Sequence, residues 1–160
     1  MKTNNVTRLL DARSIPYVPF EYPAEKLGAL EVAQLLSAPP AQVFKTIVVT
    51  REAKGKPILA VVPGPQEVDL KALARTVNEK KVLLPTEREA ERLTGLQAGG
   101  ISPLALVNRG FQVILDESAQ AFDEIYISGG QRGLNIRLPV SALASLTGAR
   151  FASITKATAI

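Results

Sequence analysis

The sequence predicts a single α/β domain built on a mixed β-sheet, and three observations carry that reading. A chain of 160 residues is the size of one domain and buries roughly 68–70% of its unfolded surface, enough for a core without staples. Its 46% hydrophobic and 21% charged residues lie in the globular range and exclude a largely disordered chain. Strand and helix patterns interleave without a strict βαβ rhythm, and some strands meet through tight turns, which a doubly wound parallel sheet does not allow. No internal repeat, low-complexity block or mid-chain linker divides the sequence, so residues 1–160 read as one domain, with 155–160 as a frayed tail.

Each element has a local reason. Asn4 or Asn5 can cap a helix whose apolar face is Val6, Leu9 and Leu10, stopped by Ser14-Ile15-Pro16. Tyr17–Tyr22 is short and aromatic, and Pro19 demotes it to an edge strand. Leu30, Val32, Ala33, Leu35 and Leu36 form a second helical stripe that ends before Pro39-Pro40. Phe44–Thr50 and Ile58–Val62 flank Lys54-Gly55-Lys56-Pro57 and read as a hairpin. Asp69 caps a helix carrying Leu70, Leu73, Ala74 and Val77, and Val82–Leu84 is a short strand. Thr86-Glu87-Arg88-Glu89 matches a capping box, followed by a glycine-rich connection from Gly95 to Gly100 and then Ser102-Pro103. Gln112–Asp116, Glu124–Ser128 and Asn135–Leu138 read as strands, Ser141–Leu146 as a helix and Arg150–Ile154 as a closing strand.

The missing residue types narrow the chemistry. The chain contains no Cys, His or Trp. That excludes disulfides, thiolate nucleophiles, Ser-His-Asp triads and imidazole bases or ligands. Catalysis has to come from carboxylates, lysines, hydroxyls, backbone dipoles or the substrate's own groups. A net charge of +4 favours an anionic partner. The amino terminus reads as neither a targeting nor a spanning segment, and no apolar run approaches the ~20 residues that cross a bilayer, so a cytoplasmic location is expected.

Seven of the 11 glycines fall between Gly95 and Gly133. The pairs Gly99-Gly100 and Gly129-Gly130, close to Ser102 and Ser128, suit either tight turns or a backbone cradle for an anion or carbonyl. Neither fits a P-loop or a dinucleotide fingerprint. Lys45 shares a strand face with Ile47 and Val49, where an ammonium is costly unless it snorkels to solvent or holds a phosphate or carboxylate. Thr46, on the other face, is an ordinary β-former. Arg132, Lys54, Lys56 and the Lys80-Lys81 pair read as solvated surface charge, with no aromatic-basic RNA signature. Asp116 and Glu117 point in opposite directions, and Asp116 can cap the following turn.

These residues also form an ordered set of motifs: Val43-Phe44-Lys45-Thr46, Asp69-Leu70-Lys71, Thr94-Gly95 leading to Gly99-Gly100-Ile101-Ser102-Pro103, Asp116, Ile125-Tyr126-Ile127-Ser128-Gly129-Gly130-Gln131-Arg132-Gly133-Leu134, and Ala149–Ile154. In this order, over nearly the whole chain, the sequence resembles the YbaK-type aminoacyl-tRNA deacylases, relatives of the editing domain of bacterial prolyl-tRNA synthetase, and most nearly the branch acting on Cys-tRNA(Pro). The resemblance implies that family's fold, a mixed, largely antiparallel curved sheet with flanking helices. It implies removal of a wrong amino acid from tRNA, by substrate-assisted hydrolysis or by release of a cysteine thiolactone, with no metal or organic cofactor.

The resemblance also implies roles for particular residues. Lys45 would contact the terminal adenosine or its phosphate, and Gly100 would bring a backbone amide or carbonyl to the ester. Tyr22, Thr46, Ile101, Ser128 and Gly129 would line the substrate pocket. The implied partners are the acceptor end of a mischarged tRNA and prolyl-tRNA synthetase, the latter supplying tRNA selectivity. The chain departs from the family's pattern in the segment before the second helix, where relatives put Phe and this chain reads Lys26-Leu27-Gly28, and in Gly133-Leu134-Asn135, where relatives tend to carry Asp. A non-catalytic tRNA- or synthetase-binding module, a deacylase for Ala-tRNA(Pro) and a nucleotide binder unrelated to tRNA are the alternatives.

Overall fold

A computed structural model describes residues 3–157. Five helices are α1 (Asn5–Ala12), α2 (Ala29–Leu35), α3 (Leu70–Thr76), α4 (Glu87–Thr94) and α5 (Val140–Thr147). Ten strands are β1 (Val18–Glu21), β2 (Phe44–Arg51), β3 (Ile58–Pro63), β4 (Gln66–Val68), β5 (Val82–Leu83), β6 (Gln112–Asp116), β7 (Glu124–Ser128), β8 (Leu134–Pro139), β9 (Arg150–Ala152) and β10 (Thr155–Ala157).

The helix starts follow from local chemistry. Asn4 accepts from the Thr7 N–H while Thr7 returns the bond to the Asn4 N–H, which closes a capping box on α1. Asp69 accepts from the N–H groups of Lys71 and Ala72 at the start of α3, and Thr86 from that of Glu89 at the start of α4.

The strands form a five-stranded sheet in the order β5-β2-β3-β6-β9, a three-stranded sheet β1-β8-β7 and a pair β10-β4. The β3–β6 and β6–β9 pairs are parallel and the other strand pairs antiparallel, so the sheet is mixed and largely antiparallel, as expected. The expected hairpin is β2–β3, and β1, with Pro19, is an edge strand.

Alternation divides the core. Phe44, Val48, Leu59, Val61 and Leu115 leave one face of the large sheet and pack with Leu10, Ile127, Ile136 and Leu143. Val49, Ile58, Ala60, Val62 and Ile114 leave the other face and are covered by Leu73 and Ala74 of α3 and by Val77 at its end. With layers on both sides, every residue of β3 is buried. A third cluster joins Val32 and Ala33 of α2 to Val43 and Tyr126.

One expectation needs correction. Thr155–Ala157, read as the start of a frayed tail, pair antiparallel with Val68, Glu67 and Gln66 as β10, and residues 158–160 lie outside those described. Buried Asp116 holds the approach to this strand, because its Oδ1 accepts the Ile154 N–H at 3.1 Å while its Oδ2 takes the Ser118 N–H and hydroxyl. Among the described residues no helix is long and apolar enough to cross a membrane.

Candidate active site

The site begins at an unpaired edge of β2. Val43 forms an isolated parallel bridge to Tyr126, and β5 pairs with β2 only at Thr50 and Arg51. Residues 45–49 between them therefore have β3 on one side and no strand on the other. The Gly64 N–H donates to the Val43 carbonyl at 2.8 Å, which makes positions 43, 45, 47 and 49 the hydrogen-bonded ones toward β3. By alternation Thr46 and Val48 direct their backbone N–H and C=O groups toward the open edge.

A cavity of about 400 Å³ lies along this edge, within the size range of small-molecule sites. Six segments wall it: β2, Tyr22 with the start of α2, Leu84-Pro85, Glu87 and Ala90 of α4, the Ala98–Ile101 loop, and Ser128 with Asn135. Most of the wall is apolar, and the polar groups are few. The Lys45 ammonium is half-buried and donates to the Gly64 carbonyl at 3.0 Å. Burial pulls its pKa below the usual lysine value, and the charge of Glu67 partly restores it. The Thr46 hydroxyl has no protein partner among the described residues. Ser128 Oγ accepts the Gly130 N–H at 3.2 Å, which leaves its own proton free to donate. One carboxylate, Glu87, reaches the wall, and it is paired with Lys26 at 2.7 Å in the open.

Asn135 is a cavity residue that sequence reasoning did not place in the site. It is 4% exposed, lines the cavity and leaves its Oδ1 without a partner. Burial pushes the Tyr22 phenol up, while the neighbouring Asn135 amide pulls it partly back. A buried acceptor without a donor costs about 1–3 kcal/mol, so it marks a place where a ligand's N–H or O–H fits. The signal in the sequence was the departure to Asn, but the orphaned atom appears only when β8 faces the cavity.

Tyr22, Lys45, Thr46, Ile101 and Ser128 thus meet in one cavity. Gly100 and Gly129 lie behind its wall. The Gly100 N–H already donates to Gln97, and its Cα packs on the Gln131–Arg132 backbone, where an added Cβ would lie 2.8 Å from Gln131 C. The Gly129 N–H donates to Leu134, its carbonyl accepts from Asn4 Nδ2, and an added Cβ would meet Leu134 Cγ at 2.5 Å. Both glycines let two segments approach closely, and neither offers a free amide. Arg132 clamps the same loops by donating from Nε to the Ala98 carbonyl at 2.7 Å. Among the described residues no group of three His, Cys, Asp or Glu side chains could hold a metal.

Residues 24–146 match the aminoacyl-tRNA editing domain, and the chain belongs to that family. It is 37% identical over 153 residues to a candidate Cys-tRNA(Pro)/Cys-tRNA(Cys) deacylase, EbsC, of Enterococcus faecalis, covering 94% of this chain and 92% of that one. It is 31% identical over 123 residues to the proline–tRNA ligase of Thermodesulfovibrio yellowstonii, covering 74% of this chain and 20% of the ligase. Among solved structures, a candidate trans-editing enzyme for prolyl-tRNA synthetase superposes with a TM-score of 0.80 at 28% identity, covering 98% and 99% of the two chains. The hypothetical protein APE2540 superposes at 0.87 with 23% identity, over 96% of this chain and all of that one, and shows the same fold.

Proposed function

We propose that this protein is a trans-acting aminoacyl-tRNA deacylase that clears cysteine from Cys-tRNA(Pro), with the substrate's own thiol as nucleophile. The observation that carries the mechanism is the cavity's polar inventory. It holds a cation, three hydroxyls and an amide, and its one carboxylate is paired with Lys26, so no side chain is placed to act as a general base on water.

In this reading Lys45 holds the phosphate of the terminal adenosine as a point charge. Asn135 Oδ1 accepts from the α-amino group of the ester, and Ser128 and Thr46 orient the acceptor ribose and carbonyl. One backbone N–H on the open edge, that of Thr46 or Val48, supplies the oxyanion donor that Gly100 and Gly129 cannot. The cysteine sulfur attacks its own carbonyl carbon, the carbon–oxygen bond to the ribose breaks, and the thiol proton leaves with the ribose oxygen. The products are a cysteine thiolactone and uncharged tRNA. The protein contributes orientation and desolvation, which together account for large rate effects in such intramolecular steps.

Release of labelled amino acid from Cys-, S-methyl-Cys-, Ala- and Pro-tRNA(Pro), by wild type and Lys45→Ala, tests the proposal. Rapid loss of cysteine only, abolished by the substitution, supports it. Loss of S-methylcysteine or alanine at a similar rate replaces thiol attack with hydrolysis, and tRNA binding with no release makes the protein a binding module. Selection of tRNA(Pro) is assigned to prolyl-tRNA synthetase as partner. Equal release from Cys-tRNA(Pro) and Cys-tRNA(Cys) by the isolated protein supports that assignment, and strong intrinsic discrimination overturns it.

A further inference from the structure

Beyond the cavity, Leu70, Lys71 and Ala74 of α3 and the segment from Lys80 to Leu83 line a second groove of about 580 Å³. Lys71, Lys80 and Lys81 are exposed and have no carboxylate partner among the described residues, and the one acidic side chain in the groove is Glu52. The groove and the cavity share one short stretch of chain. Val82 and Leu83 line the groove, Leu84 and Pro85 line the cavity, and the ridge between them exposes two leucines, Leu83 at 42% and Leu84 at 57%.

Charge distinguishes the groove from the cavity walls on α2 and α4. Around α2 and along α4 stand Glu25, Glu31, Glu87, Glu89 and Glu91 against Lys26, Arg88 and Arg92, a net negative border. A polyanion leaving the cavity is repelled on that side and attracted over β5. Lys45 and Leu84 line the same cavity along the open edge of β2, and β5 continues that edge toward the groove. The antiparallel register sets Lys81 opposite Glu52, about 24 Å along β2 from Lys45 at the usual rise per residue. That span takes several nucleotides at about 3.4 Å per stacked phosphate, more than the terminal adenosine needs. Lysines flanking exposed apolar side chains suit unpaired nucleotides, whose phosphates meet the cations while base faces rest on the apolar ridge.

We infer that the groove between α3 and β5 is the track for the single-stranded 3′ segment of tRNA preceding the terminal adenosine, with Lys71, Lys80 and Lys81 on its phosphates and Leu83 and Leu84 beneath its bases. The inference rests on the deacylase reading for the identity of the strand. It adds a direction of approach that the cavity by itself does not specify.

The test compares Cys-tRNA with 3′-O-cysteinyl-adenosine, which fills the cavity but cannot reach the groove, using wild type and the double variant Lys80→Glu/Lys81→Glu. The ratio of kcat/KM on Cys-tRNA to that on the short substrate is expected to fall about tenfold, a sum of modest exposed charge contacts. The salt dependence of binding is expected to become shallower by about 1.4 in the log–log slope if each lysine holds one single-strand phosphate. An unchanged ratio, or an equal loss on both substrates, overturns the track. If wild type deacylates neither substrate, the deacylase reading fails separately. The groove is then read by fluorescence anisotropy of an uncharged oligonucleotide ending in ACCA, where equal affinity of wild type and variant overturns the inference.

Discussion

Gly100→Ala tests whether the cavity depends on the close approach of two loops. Gly100 does not lie in the left-handed region, so alanine meets no backbone strain of its own there. The whole penalty is contact. The new methyl would sit 2.8 Å from Gln131 C, 2.9 Å from Arg132 N and 2.9 Å from Gln131 Cα, all backbone atoms that cannot rotate away. Reaching an ordinary 3.4 Å separation requires the 131–132 backbone to retreat by roughly 0.6 Å, against the 2.7 Å Arg132–Ala98 bond that ties the loops together. Overpacking of this kind costs about 1–3 kcal/mol, offset by about 0.4–1 kcal/mol because alanine restricts the unfolded chain. A net of about 1–2 kcal/mol corresponds to a Tm loss of roughly 2–8 °C at this chain length. Ile101 and Ser128 move apart with the loops, so KM for Cys-tRNA(Pro) rises. Thermal unfolding by circular dichroism and steady-state deacylation measure both effects. Gly148→Ala is the control, a left-handed position at φ 66° with nothing within 4 Å of the added methyl, so it costs stability without touching the cavity. An unchanged Tm for Gly100→Ala would falsify the close-packing argument. A lost Tm with intact kcat/KM would show that loop spacing does not govern the site.

Other perturbations separate stability from function. Lys45→Met is expected to abolish deacylation. Because the folded Lys45 pKa lies below that of the unfolded chain, the unfolded state binds more protons between the two values, so wild-type stability rises relative to the variant as pH increases toward 10.5, which paired melts across that range detect. Asn135→Leu removes a buried orphan acceptor and should leave Tm unchanged or higher, while KM for Cys-tRNA(Pro) rises by about tenfold as the α-amino group loses its partner; unchanged KM refutes that role. Asp116→Ala strands the Ile154 N–H and frees Ser118, an expected loss of about 3 kcal/mol, read from denaturant midpoints at constant m-value. Truncation after Ile154 removes β10 and uncovers β4, lowering Tm by a few degrees without changing kcat.

The limits of sequence reading follow from the range of the forces involved. The caps at Asn4, Asp69 and Thr86 were legible because a short polar side chain satisfies amides two or three residues away. The β2–β3 hairpin and the edge position of β1 were legible for the same reason, through turn residues and Pro19. The pairing of β10 with β4 was not, because neither three-residue strand has a pattern of its own and each exists only by the other's hydrogen bonds. Lys45, Thr46, Ile101 and Ser128 were named from ordered motifs and Tyr22 from the family resemblance, and the fold brings them into one cavity.

The sequence by itself determined the class of chemistry, because a chain without Cys or His offers no thiolate or imidazole. It also determined the fold class, through alternation and capping, which are properties of neighbouring residues. Tertiary structure decided what each group is free to do. It consumed the amides of Gly100 and Gly129 in loop packing, left the edge of β2 unpaired, and buried Asn135 with one acceptor unspent. Whether a polar atom is available depends on which distant backbone lies within about 3 Å of it, and that distance is set only when the sheets and loops close on each other.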